Sequence, residues 1–108
     1  MLKRAAHLAA LIFVLIFARG TAFAQASGAD TFKAKCEMCH GADGLGATQM
    51  GKALGVVSYK APEALKLKDA DLTAIIKNGK NSKMPPFGNQ LTDAQIKDMV
   101  KYIHTLQK

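Results

Sequence analysis

Two cysteines and a histidine stand close together in the sequence, in the order Cys36, Glu37, Met38, Cys39, His40. The spacing Cys-x-x-Cys-His is typical of c-type haem attachment. Two thiols with two residues between them fall on one helical turn, so they can add to the two vinyl groups of one porphyrin. The adjacent His40 can then bind the iron through one ring nitrogen, while its other ring nitrogen donates to a backbone carbonyl. We therefore expect one covalently attached haem c per chain, with thioether bonds at Cys36 and Cys39 and an axial bond from His40.

Other uses of the same residues fit the sequence less well. A structural zinc site usually has a second pair of ligands, but the chain has only two cysteines, and its other histidines, His7 and His104, lie far from the motif. A thioredoxin-like redox pair belongs in a βαβ unit, whereas the surrounding pattern is helical. A structural disulfide across two residues is rarer still.

The second axial ligand of the iron is sought among Met38, Met50, Met84 and Met99. Met38 lies between the two cysteines and points the wrong way, and Met99 belongs to an apolar helical stripe. Met84 is followed by two prolines, which restrict the backbone to extended conformations and hold the side chain at a set position. We expect Met84 to be the ligand, which would give a low-spin electron-transfer centre. Met50 on the glycine-rich loop and an open sixth position remain alternatives.

Residues 1–24 have the pattern of a secretory signal peptide. Lys3 and Arg4 are followed by the uncharged run Leu8–Ala18 and by the small-x-small sequence Ala22-Phe23-Ala24. The run is shorter than the roughly 20 apolar residues of a membrane span. We expect cleavage before Gln25, or two residues later before Ser27, and therefore a haem domain over 25–108 in the periplasm. An uncleaved signal that tethers the domain to the membrane is the alternative.

Charge and size narrow the class of protein further. The formal charge is +7 for all 108 residues, and removal of Lys3, Arg4 and Arg19 with the signal leaves +4. Every remaining positive side chain is a lysine, so no arginine is present to read phosphates or guanine edges, and nucleic acid is excluded as a partner. A domain of this size buries a modest core by itself, and a porphyrin would enlarge that core.

Three helices are expected, and no alternating pattern indicates a strand. Ser27 and Asp30 fit a capping box that opens the first helix, which would continue to Gly41. The second helix would start at an N-cap on Asp69 and stop at Gly79. The third would start at Thr92, with the apolar stripe Ile96, Met99, Val100 and Ile103 along one face. The fold class is therefore all-α.

The connections between these helices are less readable. A glycine-rich loop is expected from Gly41 past Gly55, where it would wrap one edge of the haem. Pro62 suggests a turn or short helix. Lys80 to Leu91 is expected to be the loop that presents Met84.

Four stretches of the sequence together resemble the small bacterial class I c-type cytochromes: Cys36-Glu37-Met38-Cys39-His40-Gly41, Asn78-Gly79-Lys80, Met84-Pro85-Pro86-Phe87 and Leu91-Thr92-Asp93-Ala94-Gln95-Ile96. The resemblance implies a handful of helices around one haem, with the first and last helices crossing. At such a crossing a glycine and an aromatic residue meet a large apolar residue and an aromatic residue, and these positions match Gly28, Phe32, Met99 and Tyr102. It also implies that His40 and Met84 are the axial pair.

One position departs from that family. Its members often have a proline after the glycine of the first loop, whose backbone supports the axial histidine, but here Gly51 is followed by Lys52. We therefore expect the orientation of His40 to be less rigidly supported.

The leading hypothesis is a periplasmic monohaem electron carrier without enzymatic activity or a small-molecule substrate. The resemblance implies redox partner proteins, a donor and an acceptor, with membrane contact through those partners. Lys33, Lys35, Lys80 and Lys83 would steer acidic partners to the haem edge. Two alternatives remain, a gas-binding or peroxidase-like haem protein with a labile sixth ligand, and a dedicated electron-transfer subunit of a periplasmic dehydrogenase.

Overall fold

Six helices make up the computed structural model, which describes residues 26–108. They are α1 (Gly28–Lys35), α2 (Glu37–His40), α3 (Gln49–Leu54), α4 (Pro62–Leu65), α5 (Asp69–Asn78) and α6 (Asp93–Leu106). Within this range the chain has no strand and only one isolated β-bridge, between Lys80 and Met84. The prediction of an all-α fold is confirmed. The proposed signal peptide, residues 1–24, lies outside the described residues.

Polar side chains define the starts of the longer helices. The Ser27 hydroxyl accepts the Asp30 N–H at 3.1 Å, and Thr92 and Gln95 form the expected reciprocal capping box. The prediction for α5 is wrong by one residue, because Lys68 is the N-cap. Its N–H donates to the Asp71 carboxylate at 2.9 Å, so the acidic first turn of α5 supplies the cap from inside the helix.

The first and last helices cross at a small residue. A Cβ on Gly28 would lie 2.8 Å from the Asp98 carbonyl oxygen, so only glycine allows the backbones of α1 and α6 to approach this closely. Beside the crossing, the rings of Phe32 and Tyr102 lie 5.1 Å apart. The crossing of the terminal helices that the class I resemblance implied is therefore present.

The core lies where α1 and α5 pack against α6. It contains nine buried apolar side chains: Phe32, Leu72, Ile76, Phe87, Leu91, Ile96, Met99, Val100 and Ile103. Met99 is 1% exposed, which confirms its assignment to the core stripe of the last helix.

Two details of the connections differ from the sequence prediction. The first helix is interrupted at Cys36, whose φ of −120° and ψ of −31° separate α1 from α2. The loop after Gly41 contains the helix α3, which is too short for its apolar periodicity to be recognised in the sequence. Within residues 26–108, no helix has the length and apolar character that crossing a membrane requires.

Candidate functional site

The two cysteines and the histidine of the motif lie on a single turn at the junction of α1 and α2. The Cys36 N–H donates to the Phe32 carbonyl at 2.8 Å, which continues the path of α1, and the His40 N–H donates to the Cys36 carbonyl at 3.0 Å. Cys36 and Cys39 are both free thiols and both half-buried. The fold therefore brings two thiol sulfur atoms and one imidazole to the same short stretch of surface.

Burial sets the protonation states in this turn. Loss of water around Cys36 raises the pKa of its thiol to about 11, despite the opposing charge of Lys35, so the thiol is protonated at neutral pH. Burial also lowers the pKa of His40 below its usual value. A neutral imidazole is the form that offers a lone pair to a metal.

The His40 ring makes no side-chain hydrogen bond within residues 26–108. Its Nδ1 is buried and has no partner, so the expected bond to a backbone carbonyl is absent from this part of the chain. A buried nitrogen without a partner costs about 1–3 kcal/mol and is rare outside sites that bind a further group. The unpaired imidazole and the two adjacent thiols fit a covalently attached haem.

Three aromatic side chains, Tyr59, Phe32 and Tyr102, contact one another in turn between the His40 imidazole and the last helix. The Tyr59 ring stacks on His40 with centroids 4.9 Å apart and an interplanar angle of 23°. Its other neighbour is Phe32, at 6.3 Å in an edge-on arrangement, and Phe32 in turn contacts Tyr102. Sequence reasoning missed Tyr59, since it lies in a stretch without helical or strand periodicity. An isolated aromatic residue in a loop was the one available signal.

Met84 lies on the loop between α5 and α6 and is half-buried, packed against the core. Met84 and Lys80 exchange two backbone hydrogen bonds of 3.0 and 3.1 Å around a turn in which Asn81 and Ser82 have φ values of 56° and 57°. After the prolines, the Phe87 N–H donates to the Ile76 carbonyl at 2.9 Å. The turn and the attachment to α5 thus fix the loop on both sides of the methionine.

The other methionines occupy different environments. Met38 and Met50 are 73% and 44% exposed, respectively, and both line a shallow surface groove next to Thr48 and Ala53. Of the four methionines, Met84 alone is half-buried against the core from a loop.

A zinc site finds no support in the described part of the chain. Residues 26–108 contain no group of three or more His, Cys, Asp or Glu side chains close enough to hold a metal ion.

The four lysines suggested for partner steering are all exposed. Lys35 Nζ donates to Gln90 Oε1 at 3.2 Å, which links the end of α1 to the loop that carries Met84. Lys33 precedes this link on α1, whereas Lys80 and Lys83 lie in the loop itself.

Residues 23–103 match the family described as cytochrome c oxidase, cbb3-type, subunit III. One relative is the cbb3-type cytochrome c oxidase subunit FixP of Azorhizobium caulinodans, which is 33% identical over 92 residues. That alignment covers 82% of this chain but 29% of FixP, so the chain spans less than a third of that protein.

Two further proteins match over nearly all of their own length. Cytochrome c6 of a Picosynechococcus species is 33% identical over 109 residues, with 94% of this chain and 92% of the relative covered. Among solved structures, the KustC0563 c-type cytochrome superposes with a TM-score of 0.70 at 28% identity, over 77% of this chain and 100% of that one.

Proposed function

This chain belongs to the family described as cytochrome c oxidase, cbb3-type, subunit III, and we propose that it is a periplasmic monohaem electron carrier. It is one of the class I c-type cytochromes, which carry haem c and transfer electrons. In this proposal Cys36 and Cys39 would form the thioether bonds, and His40 and Met84 would hold the iron. When bound, haem c supplies reversible one-electron chemistry. The protein fixes the ligands, excludes water and presents one edge to its partners.

The observation that carries the proposal is the state of the His40 ring. It is half-buried, its Nδ1 is buried without a partner, and it lies directly after Cys39 on the turn that also carries Cys36. A neutral imidazole in this place can ligate without first giving up a hydrogen bond to the protein. The thiols on the same turn would keep the porphyrin within reach of the imidazole.

Met84 is proposed as the opposite ligand because its thioether is neither solvent-exposed nor fully enclosed in the core. The paired backbone of Lys80 and Met84 and the prolines that follow limit how far the side chain can move. With both axial positions filled by protein, the iron would have no place for a substrate, so the chain would not be an enzyme.

The visible spectrum of the reduced, exported holoprotein, before and after addition of carbon monoxide, tests the closed iron centre. We expect a sharp low-spin spectrum that carbon monoxide leaves unchanged. A prompt spectral shift would show a labile sixth position and would replace the carrier with the gas-binding or peroxidase-like alternative.

A matched pair of variants then identifies the sixth ligand. Met84→Ala should abolish the red charge-transfer band of methionine-ligated ferric haem and allow carbon monoxide to bind, whereas Met50→Ala should preserve the wild-type behaviour. Met50 is the suitable control because it is the other candidate from the sequence and is exposed. Loss of the band in Met50→Ala alone would assign the ligand to Met50.

The comparisons favour two working arrangements that share this site. The near-complete match to cytochrome c6 favours a separate carrier. The match to one part of FixP, a subunit of a cbb3-type oxidase, favours an electron-donating domain held within a complex. We propose the separate carrier, and the match to a subunit of a cbb3-type oxidase favours a terminal oxidase as its acceptor.

Fractionation of the source cells separates these arrangements and tests the export signal. A separate carrier should appear in the periplasmic fraction with one haem and a chain that starts at Gln25 or Ser27 by mass spectrometry. Recovery with the membranes, either with residues 1–24 retained or bound to an enzyme of the periplasm, would favour the tethered or dedicated form.

The exposed lysines near Met84 predict that the partner surface is acidic. A fourfold rise in ionic strength should slow electron exchange with the natural partner, since salt screens long-range steering. Lys83→Gln should reduce this salt dependence, and Lys108→Gln, at the end of the chain, serves as the control. A rate independent of salt would refute steering by these side chains.

A further inference from the structure

The helix α2 is a single turn, so its last carbonyls need partners from outside the helix. The Glu37 carbonyl accepts the Gly41 N–H at 2.8 Å, and the His40 carbonyl accepts the Gly46 N–H at 2.8 Å. The carbonyls between these two belong to Met38 and Cys39. Their hydrogen bonds therefore decide whether the end of the helix that carries His40 is held in place.

One hydroxyl group satisfies both of the intervening carbonyls. Thr48 Oγ1 donates to the Met38 carbonyl at 2.7 Å and, as a second branch, lies 3.2 Å from the Cys39 carbonyl. The same oxygen accepts the Gly51 N–H at 2.9 Å, which makes Thr48 the N-cap of α3. The Thr48 side chain thus joins the end of α2 to the beginning of α3.

The backbone at Gly51 tightens this connection. A Cβ on Gly51 would collide with the carbonyl oxygens of Cys39 and Gly46, so the first turn of α3 lies directly against the end of α2. Gly51 is buried, which excludes water from this contact. The Thr48 bonds are therefore part of a packed junction.

The direction of the His40 ring depends on this junction, because the ring has few contacts of its own that could fix it. Its imidazole makes no hydrogen bond within residues 26–108, so contacts of the ring do not fix its direction apart from the stacking with Tyr59. What remains to orient the ring is the backbone of α2. That backbone is held at its C-terminal end through Thr48.

We propose that Thr48 is the positioning residue for the axial histidine, acting through the Met38 and Cys39 carbonyls. The inference rests on the proposed function in that it takes His40 as the axial ligand. The hydrogen bonds of the Thr48 side chain go to backbone atoms and not to the ring or the thiols, so it acts through the backbone that carries them. Nothing else in the described chain donates a side-chain hydrogen bond to these two carbonyls.

The chain offers a control for ordinary helix capping. Thr92 caps α6 with nearly the same backbone geometry: its φ and ψ are −70° and 162°, and those of Thr48 are −67° and 161°. The Thr92 hydroxyl likewise accepts one N–H, that of Gln95 at 3.1 Å. Thr92 makes no bond to α2. A substitution at Thr92 therefore removes a cap from a helix outside the junction.

Three substitutions at Thr48 separate the hydrogen bonds that its hydroxyl donates to the Met38 and Cys39 carbonyls from the N-cap bond that it accepts from the Gly51 N–H. Thr48→Ser keeps the donor and the acceptor. Thr48→Asp keeps an acceptor but cannot donate, and Thr48→Val loses the donor and the acceptor. Because Asp is a strong N-cap, the Thr48→Asp protein should fold and mature even if the Thr48→Val protein does not.

The measurements are amide hydrogen exchange in the ferrous holoprotein and redox titration. After correction for global stability, exchange at His40 and Gly41 should rise at least tenfold in Thr48→Asp and remain within twofold of wild type in Thr48→Ser and Thr92→Val. The ratio of reduced to oxidised protein at a fixed ambient potential should fall at least threefold in Thr48→Val, which removes the donor without adding a charge, since a loosened ligand lets water stabilise the ferric charge.

The possible outcomes are distinct. Equal exchange in Thr48→Asp and Thr48→Ser would overturn the inference, because capping alone would then explain Thr48, and so would equal redox ratios in Thr48→Val and Thr48→Ser. An effect of the same size in Thr92→Val would overturn it as well. Failure of the wild-type protein in the carbon monoxide test would instead reject the proposed function, and the exchange data would still show whether Thr48 holds α2.

Discussion

The two segments proposed to bind the iron are held in different ways. In the His40 segment, residues 36–51, the end of α2 is held from within the segment, by the Thr48 hydroxyl and by the close approach of Gly51 to Cys39. Its contacts with the rest of the protein include the Cys36 N–H bond to Phe32 and the stacking of Tyr59 on His40. In the Met84 segment, residues 79–91, Lys80 and Met84 pair with each other, but the bonds that fix the segment after the prolines reach outside it. The Phe87 and Gly88 N–H groups donate to carbonyls at the end of α5.

This difference separates what local sequence determines from what tertiary packing determines. The geometry of the His40 segment is set by a spacing of a few residues and by one cap. The position of Met84 depends on the end of α5, on a left-handed turn and on the burial of Phe87. We therefore expect the Met84 segment to be the more easily displaced of the two.

We expect the largest effect from a substitution in the hydrophobic core, which supports both segments. Phe32 is 1% exposed and lies one turn before Cys36, and both Cys36 and Met84 pack against the core that contains it. Phe32→Ala should lower the free energy of unfolding of the holoprotein by about 3–5 kcal/mol, measured by guanidinium denaturation. Met99→Leu, a nearly volume-conserving change at an equally buried site, should cost less than about 1.5 kcal/mol. Equal losses in the two variants would contradict this account of the core.

A second prediction displaces the Met84 segment alone. Gly79 has a φ of +77°, and a Cβ there would collide with the Met84 carbonyl oxygen, so Gly79→Ala combines backbone strain with a clash. We expect a loss of about 2–4 kcal/mol in unfolding free energy and a weaker methionine charge-transfer band.

Gly55 provides the control for strain without the clash. Its φ is +67°, but a Cβ there would meet nothing within 4 Å. Gly55→Ala should cost about 1 kcal/mol and leave the spectrum unchanged. If both variants lose the band, the collision with Met84 is not its cause.

The sequence predicted the parts of this arrangement that short-range rules determine. The caps at Ser27 and Thr92, the glycine stop of α5 and the stripe on α6 follow from single residues and from helical period, and the structure confirms them. The axial and thioether roles of Cys36, Cys39, His40 and Met84 stay predictions. Of these residues, the structure places the first three on one turn.

Other features could not be read from the sequence because they depend on tertiary contacts. Helix α3 has six residues, fewer than a helical period can reveal, and it is stabilised by Thr48 and by contact with α2. Tyr59 acquires its place only when the loop folds onto His40 and Phe32. The break at Cys36 likewise has no proline or glycine to signal it.

A third prediction sharpens the comparison by relieving strain in the Met84 segment. Ser82 adopts a φ of 57°, a left-handed conformation that costs a non-glycine residue about 1 kcal/mol. Ser82→Gly should therefore raise the unfolding free energy by up to about 1 kcal/mol without changing the spectrum. Ser58→Gly, outside the positive-φ region, should be neutral or destabilising. Destabilisation by Ser82→Gly would show that the turn is not strained.

The smallest expected effect concerns the hydrogen bonds of His104, which connect Asp69 to Gln107 and, through Gln107, to the backbone of Tyr59. His104 Nε2 lies 2.6 Å from the Asp69 carboxylate, and Nδ1 lies 2.8 Å from Gln107 Oε1. The Gln107 amide nitrogen donates to the Tyr59 carbonyl at 3.2 Å, so its oxygen is left to accept. Both partners of the ring are then acceptors, and only the doubly protonated imidazolium satisfies both.

The pH dependence of stability tests this link. The bond to Asp69, and then that to Gln107, raises the pKa of His104 above its usual 6.5. A raised folded-state pKa gives a stabilisation that is fully present below the unfolded-state pKa and is lost as the pH rises through the folded-state value. Because the pair is largely exposed, the loss should stay below about 1 kcal/mol, seen as an unfolding midpoint that falls as the pH rises above the usual histidine pKa of 6.5. Asp69→Asn should flatten the decline, since it removes the main cause of the raised pKa, whereas the same decline in both proteins would assign it to other groups. Gln107 holds the backbone of Tyr59, and Tyr59 stacks on His40. We therefore expect the orientation of the His40 ring to change over the same pH range, and the position of Met84 to stay the same.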